Sequence, residues 1–152
     1  MTLTRADDIL REIEAMASRE FLPLLGPEKG KILAEVMRNI KPSHVLEIGA
    51  LIGYSAILMG RELDPNAEIT TIEIHINEAR VAEENIRHAQ ILPRVNVIVG
   101  DAVKVIPTLR DCFDAVFIDA EKSEYYKYLR LMENKLHKGT VVVADNAGLF
   151  AD

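Results

Sequence analysis

A chain of 152 residues, 49% hydrophobic and 28% charged, has room for one domain with a substantial core and is too apolar for a disordered segment. Eighteen Lys and Arg against 24 Asp and Glu give a formal net charge of −6. That balance counts against a broad phosphate-neutralising surface, so nucleic acids and anionic membranes fall behind small molecules as expected partners.

The N-terminal stretch MTLTRADDILREIEAM places Ile9, Ile13, Met16 and Ala17 at helical spacing behind Asp7-Asp8, and the pattern runs until Pro23. Gly26-Pro27 breaks it, and Ile32, Leu33, Val36 and Met37 mark a second helix from about Glu28 to Asn39. From Pro42 onward short apolar strands alternate with helical stretches. The expected strands are His44–Ile48, Glu68–Glu73, Val95–Val99, Phe113–Asp119 and Thr140–Asp145. Between them the expected helices run from Tyr54 to Leu63, Asn77 to Ala89, Val103 to Leu109 and Ser123 to Leu136. Such alternation predicts an α/β fold, a Rossmann-like doubly wound and mostly parallel sheet, because parallel neighbours need a crossover connection. The whole chain, 1–152, reads as a single domain: N-terminal helices over 1–40, then an α/β core over 42–146. The valine-rich last strand ends close to the C-terminus, so an open sheet edge or a shortened fold is expected. Pairing of that edge with a second copy, a homodimer, or a mobile C-terminus would follow.

Cys112 is the single cysteine, which excludes an internal disulfide and a cysteine-rich zinc cluster; it reads as a small buried hydrophobe. The N-terminus lacks a basic start and an apolar leader, and no apolar run reaches membrane-spanning length. A soluble, cytoplasmic protein is expected.

In open α/β sheets ligands bind beyond the carboxyl ends of the strands. The first strand ends in Gly49-Ala50-Leu51-Ile52-Gly53, where Gly49 lets the backbone turn sharply against a ligand and Gly53 allows close approach at a helix start. Glu73 ends the second strand, at the offset where a carboxylate accepts the hydroxyl protons of a ribose. Since the loop lacks the extra glycine of the diphosphate-binding GxGxxG pattern, a nucleoside without phosphates fits better, and S-adenosyl-L-methionine is the obvious candidate. Asp101, beside Gly100, either accepts from an adenine amino group or caps the following helix. Asp119 and Asp145-Asn146 end the fourth and fifth strands. If those strands are neighbours, their ends lie about 5 Å apart. Two carboxylates at that spacing need positive charge between them, and an all-oxygen set suits a divalent cation such as Mg²⁺ or Ca²⁺ rather than zinc. Lys122, on the short connection after Asp119, can reach the same space and accept a proton. The four histidines show no ligand spacing, and Tyr125, Tyr126 and Tyr128 read as packing or interface residues.

Taken together, VLEIGALIGYSAILM, TIEI, VGDA, FDAVFIDAEKSEYY and KGTVVVADN resemble the cation-dependent O-methyltransferases, the group of catechol and caffeoyl-CoA O-methyltransferases. The likeness covers roughly Ile32 to Asn146. It implies a sheet of seven strands in the order 3-2-1-4-5-7-6, of which the last two are lacking here. It also implies that Glu47, Gly49, Gly53, Ser55, Glu73, Asp101 and Ala102, with Asp119, line the S-adenosyl-L-methionine site. Asp119, Asp145 and Asn146 match the ligands of the divalent cation, expected to be Mg²⁺, and Lys122 matches the catalytic base. Leu51-Ile52 is bulkier than the pair often found in that loop, and Gln90 stands where many relatives have Gly. The activity so implied is methyl transfer to a hydroxyl of a small, catechol-like acceptor. The rivals are a cofactor-binding module or fragment without methyl transfer and, against the missing GxGxxG, a nucleotide-dependent oxidoreductase.

Overall fold

The computed structural model describes residues 4–110, 112–120 and 122–145. Helix α1 (Arg5–Glu20) starts at Thr4, whose hydroxyl accepts from the Asp7 N–H while the Asp7 carboxylate accepts from the Thr4 N–H, a reciprocal cap. It ends at Phe21 in the left-handed conformation, short of the expected Pro23. Helix α2 (Gly26–Ile40) follows, with Pro27 in its first turn, where a missing N–H costs nothing.

Five strands then alternate with helices: β1 (His44–Ile48), α3 (Tyr54–Gly60), β2 (Glu68–Glu73), α4 (Ile76–Ala89), β3 (Arg94–Val99), α5 (Ala102–Val105), β4 (Phe113–Ile118), α6 (Tyr125–Met132) and β5 (Leu136–Ala144). All neighbours are parallel, in the order β3-β2-β1-β4-β5. Strand order therefore reverses between β1 and β4. That is the switch point where a doubly wound sheet opens a crevice.

Successive side chains of a strand face opposite sides, and both sides of this sheet are covered. Leu46, Ile48, Ile72, Val116 and Ile118 pack against Ile106 and against Tyr128 and Met132 of α6. On the other face Val45, Ile69, Ala115 and Phe117 meet Leu33 and Met37 of α2 and Met59 of α3. Helix α1 adds a third layer there, with Ile9, Leu10 and Ile13 against Ile57 and Leu58. Truncating any one of the Leu, Ile or Met side chains among these to Ala should cost about 2–5 kcal/mol.

The structure shifts several expected boundaries. Helix α3 stops at Gly60, ahead of Leu63. Helix α5 gives way to a tight turn over Ile106–Thr108, because Pro107 cannot donate to a continuing α-helix. Helix α6 is confined to Tyr125–Met132 between tight turns at Lys122–Glu124 and Glu133–Lys135. Strand β5 begins at Leu136 rather than Thr140, since Leu136 pairs with Phe113 before the register shifts and Gly139 adopts φ +99°. The Thr140 hydroxyl then donates to the Phe113 carbonyl at 2.8 Å. Cys112 is exposed, contrary to expectation. Its neighbour Phe113 takes the buried position at the start of β4 and leaves the thiol outside. Among the described residues no helix is long and apolar enough to cross a membrane.

Candidate active site

Backbone hydrogen bonds continue past the strand ends and fix the loops that carry the polar groups. Gly49 N–H donates to the Ile72 carbonyl at 2.8 Å, Asp119 N–H to that of Ile48 at 2.9 Å, Asp145 N–H to that of Ile118 at 3.0 Å and Gly100 N–H to that of Glu73 at 2.9 Å. Asp119 and Asp145 thus each begin a loop just past a strand, whereas Glu73 is the last residue of β2. Gly49 has φ +96°, and a Cβ there would lie 2.0 Å from the Asp119 carbonyl oxygen. Glycine is therefore required at the switch point on two counts, backbone conformation and contact.

A cavity of about 440 Å³ opens at this edge. Gly49, Glu73, Asp101, Ala102 and Asp119 all line it, together with Ile72, Tyr128 and Glu124. Pro23 and His75 also line it, although neither was singled out from the sequence. For His75 the signal was present, because it follows Glu73 by two positions at a strand end.

Glu73 is 6% exposed, and both of its oxygens are engaged. Oε1 accepts from the Leu51 N–H at 2.7 Å and Oε2 from the His75 N–H at 3.0 Å. Leu51 sits at φ +48°, so the carboxylate holds the glycine loop in an uncommon conformation. A carboxylate oxygen has two lone pairs, so each retains capacity for one hydroxyl donor from the cavity. That is the acceptor set a ribose diol requires. Asp101 accepts from the Val103 N–H at 3.0 Å, so it caps α5 and lines the cavity at once.

Glu47, Gly53 and Ser55 are placed differently. Glu47 is fully buried on the α2–α3 face of β1, beneath the glycine loop rather than on the cavity wall. The Ser55 hydroxyl donates to its Oε2, and the Thr71 hydroxyl donates to its Oε1 at 2.7 Å. Burial, with the charges of Asp119 and Glu73, pushes the Glu47 carboxyl up to about 7. Gly53, at φ +90°, opens α3 and lies against α4, where a Cβ would meet the Ala82 carbonyl oxygen at 3.1 Å.

Beside the cavity stand the two aspartates. Burial and the charge of Asp145 raise the Asp119 carboxyl to about 6, while Lys29 and Lys122 act in the opposite direction. Lys122 is half-buried in the turn directly after β4. The Asp145 side chain is 11% exposed and pairs with Lys29 Nζ at 2.8 Å, an α2 residue the strand-end reading passed over. Its carbonyl accepts from the Tyr125 phenol at 3.2 Å. Tyr125 is therefore a structural support of the site as well as a packing residue. Asn146 lies outside the described residues. Among the described residues no cluster of three His, Cys, Asp or Glu is arranged to hold a metal. What the described part of the site offers a hard cation is two carboxylates, Asp119 and Asp145, the charge of the second disfavouring ionisation of the first.

The doubly wound sheet thus gathers Glu73, Asp101 and Asp119 at the crevice beyond its strand ends, where such sheets bind ligands. The O-methyltransferase family profile matches residues 4–151, and the chain belongs to that family. It is 36% identical over 146 residues to the catechol O-methyltransferase of Mus musculus, covering 91% of this chain and 55% of that protein. Against the catechol O-methyltransferase of Sus scrofa it is 40% identical over 129 residues, covering 80% of this chain and 69% of that one. The crystal structure of the O-methyltransferase TomG of Streptomyces achromogenes, in complex with SAM, superposes with a TM-score of 0.85 at 32% identity, covering 95% of this chain and 68% of TomG. The chain thus spans between about half and two thirds of the length of these relatives.

Proposed function

We propose that this chain carries out S-adenosylmethionine-dependent O-methylation of a small, catechol-like hydroxyl acceptor with a divalent cation, most simply Mg²⁺. The observation that carries the reading is that Glu73 and Asp119 line one cavity, with the charge of Asp145 acting on Asp119, in a chain of the O-methyltransferase family. The names of the catechol O-methyltransferase relatives support the acceptor class.

When bound, S-adenosylmethionine supplies an electrophilic methyl on a sulfonium, and a divalent cation supplies positive charge that acidifies an acceptor hydroxyl. Glu73 holds the ribose through the lone pairs its backbone donors leave. Asp101 and Ala102 bound the far end of the cavity, where the base would lie. Asp119 and Asp145, with Asn146, would hold the cation. Lys122, as the neutral amine, would take the acceptor's hydroxyl proton at Nζ, the methyl group coming from S-adenosylmethionine with the bonding electron pair kept on sulfur. Orientation and charge therefore supply most of the rate.

The test is methyl transfer by the purified chain to a panel of vicinal diphenols and isolated phenols, with Mg²⁺ and with chelator. Asp145→Ala should remove the stimulation by Mg²⁺ and leave calorimetric affinity for S-adenosylmethionine within about twofold, because the cation serves the acceptor rather than the adenosine. Full activity in chelator would sink the cation; cofactor binding with no turnover on any acceptor would leave a binding module.

A further inference from the structure

Lys29 reaches the acid pair from outside the sheet. It lies in the first turn of α2, just after Pro27, and its ammonium meets Asp145 Oδ1 at 2.8 Å across 116 positions of sequence. The two partners are unequally placed. Asp145 is built in, with its side chain 11% exposed, its N–H donating to Ile118 and its carbonyl held by Tyr125. The Lys29 side chain is 51% exposed, so it can withdraw into water at small cost and without moving the backbone of Asp145.

The charge balance makes this pair consequential. The aspartates bring two negative charges, and Asp119 feels the positive charges of both Lys29 and Lys122. Two ammonium groups carry the charge of one divalent cation. An ion taking up Asp145 would therefore compete for the oxygen Lys29 occupies and be repelled by the ammonium beside it.

We propose that Lys29 is a tethered counter-ion of Asp145, occupying the acid pair in the metal-free protein and giving way when a divalent cation binds. The inference rests on the cation reading above and deepens it. Lys29 keeps Asp145 charge-compensated and aimed while the ion is absent, and it sets the threshold concentration at which the ion enters. Because linkage is reciprocal, the ion must weaken the Lys29 contact by the same factor by which Lys29 weakens ion binding.

Titration of the full chain with Mn²⁺, followed by electron paramagnetic resonance and calorimetry, tests this in wild type, Lys29→Met, Lys29→Arg and Asp145→Asn. The expected result is Mn²⁺ affinity about tenfold higher in Lys29→Met, wild-type-like affinity in Lys29→Arg and loss of binding in Asp145→Asn. In chelator, Lys29→Met should melt below wild type, because the acid pair has lost a counter-ion, and Mg²⁺ should raise its melting temperature more than it raises that of wild type. Equal or lower Mn²⁺ affinity in Lys29→Met, with Asp145→Asn still binding-deficient, overturns the counter-ion role and leaves the cation site standing. Absence of Mn²⁺ binding from every variant overturns both.

Discussion

Glu47→Gln is the perturbation that most directly probes the layer beneath the site. Glu47 has no exposed surface and only hydroxyl donors, Ser55 and Thr71, for partners. Burial, reinforced by Asp119 and Glu73, lifts its carboxyl from an ordinary 4.5 to about 7. The folded protein therefore holds a proton that the unfolded chain releases above pH 4.5. Stability associated with the protonated group is fully present below pH 4.5, declines as pH rises and is lost once pH passes about 7. At about 1.4 kcal/mol per pH unit, the interval corresponds to about 3 kcal/mol. The glutamine amide is neutral throughout, keeps the shape and can accept from one hydroxyl while donating to the other, so its contribution should be flat with pH. Urea denaturation of both proteins at closely spaced pH values from 4.5 to 8.5 reads the difference. Glu47→Gln should gain about 3 kcal/mol on wild type across that range, most of it between pH 5 and 7. Parallel stability curves, within about 0.5 kcal/mol, would show that Glu47 is not held protonated by its burial.

Three other perturbations address the loops and the lower edge of the sheet. Glu73→Ala removes the ribose acceptor and the partner of the Leu51 and His75 N–H groups; affinity for S-adenosylmethionine should fall by about 1.5–3 kcal/mol in calorimetry, and unchanged affinity in a folded variant would remove Glu73 from the site. Gly49→Ala sets a Cβ 2.0 Å from the Asp119 carbonyl oxygen at φ +96°, so denaturation should reveal a loss of at least about 3 kcal/mol, and wild-type stability would contradict the close contact. The His137 ring is held above its ordinary 6.5 by the Lys138 carbonyl and by Asp114, 2.7 Å from Nε2. Its contribution is complete below pH 6.5 and fades as pH rises through the raised value, so the stability gap between wild type and His137→Ala should narrow from pH 6 to pH 9; a gap that widens would reverse the reasoning.

Much of this protein was legible in local sequence. Strand alternation, the Gly49–Gly53 loop and acids at strand ends are short-range signals, because period-two burial and left-handed turns depend on a few adjacent residues. The sheet order β3-β2-β1-β4-β5 was implied by the family resemblance and is what the backbone shows. Glu73, Asp101 and Asp119 were found by the rule that strand ends face the crevice. The same rule could not separate Glu47 from them. Glu47 shares the strand phase of Glu73 and Asp119 but lies two register positions deeper in the sheet, paired with Thr71 and Phe117, where Ser55 and Thr71 enclose it.

Other features came from the tertiary structure alone. Lys29 looks like any lysine on a helix until the order of the strands brings the end of β5 beside the start of α2. The early start of β5 is settled by Phe113 and Asp114, which offer Leu136, His137 and Thr140 their partners across the strand pair. Cys112 is exposed because Phe113 fills the adjoining core position. Local sequence determines which conformations each segment prefers. Which side chains meet across more than a hundred positions depends on how the layers stack, since an ion pair or a buried carboxyl is defined by its neighbours in space.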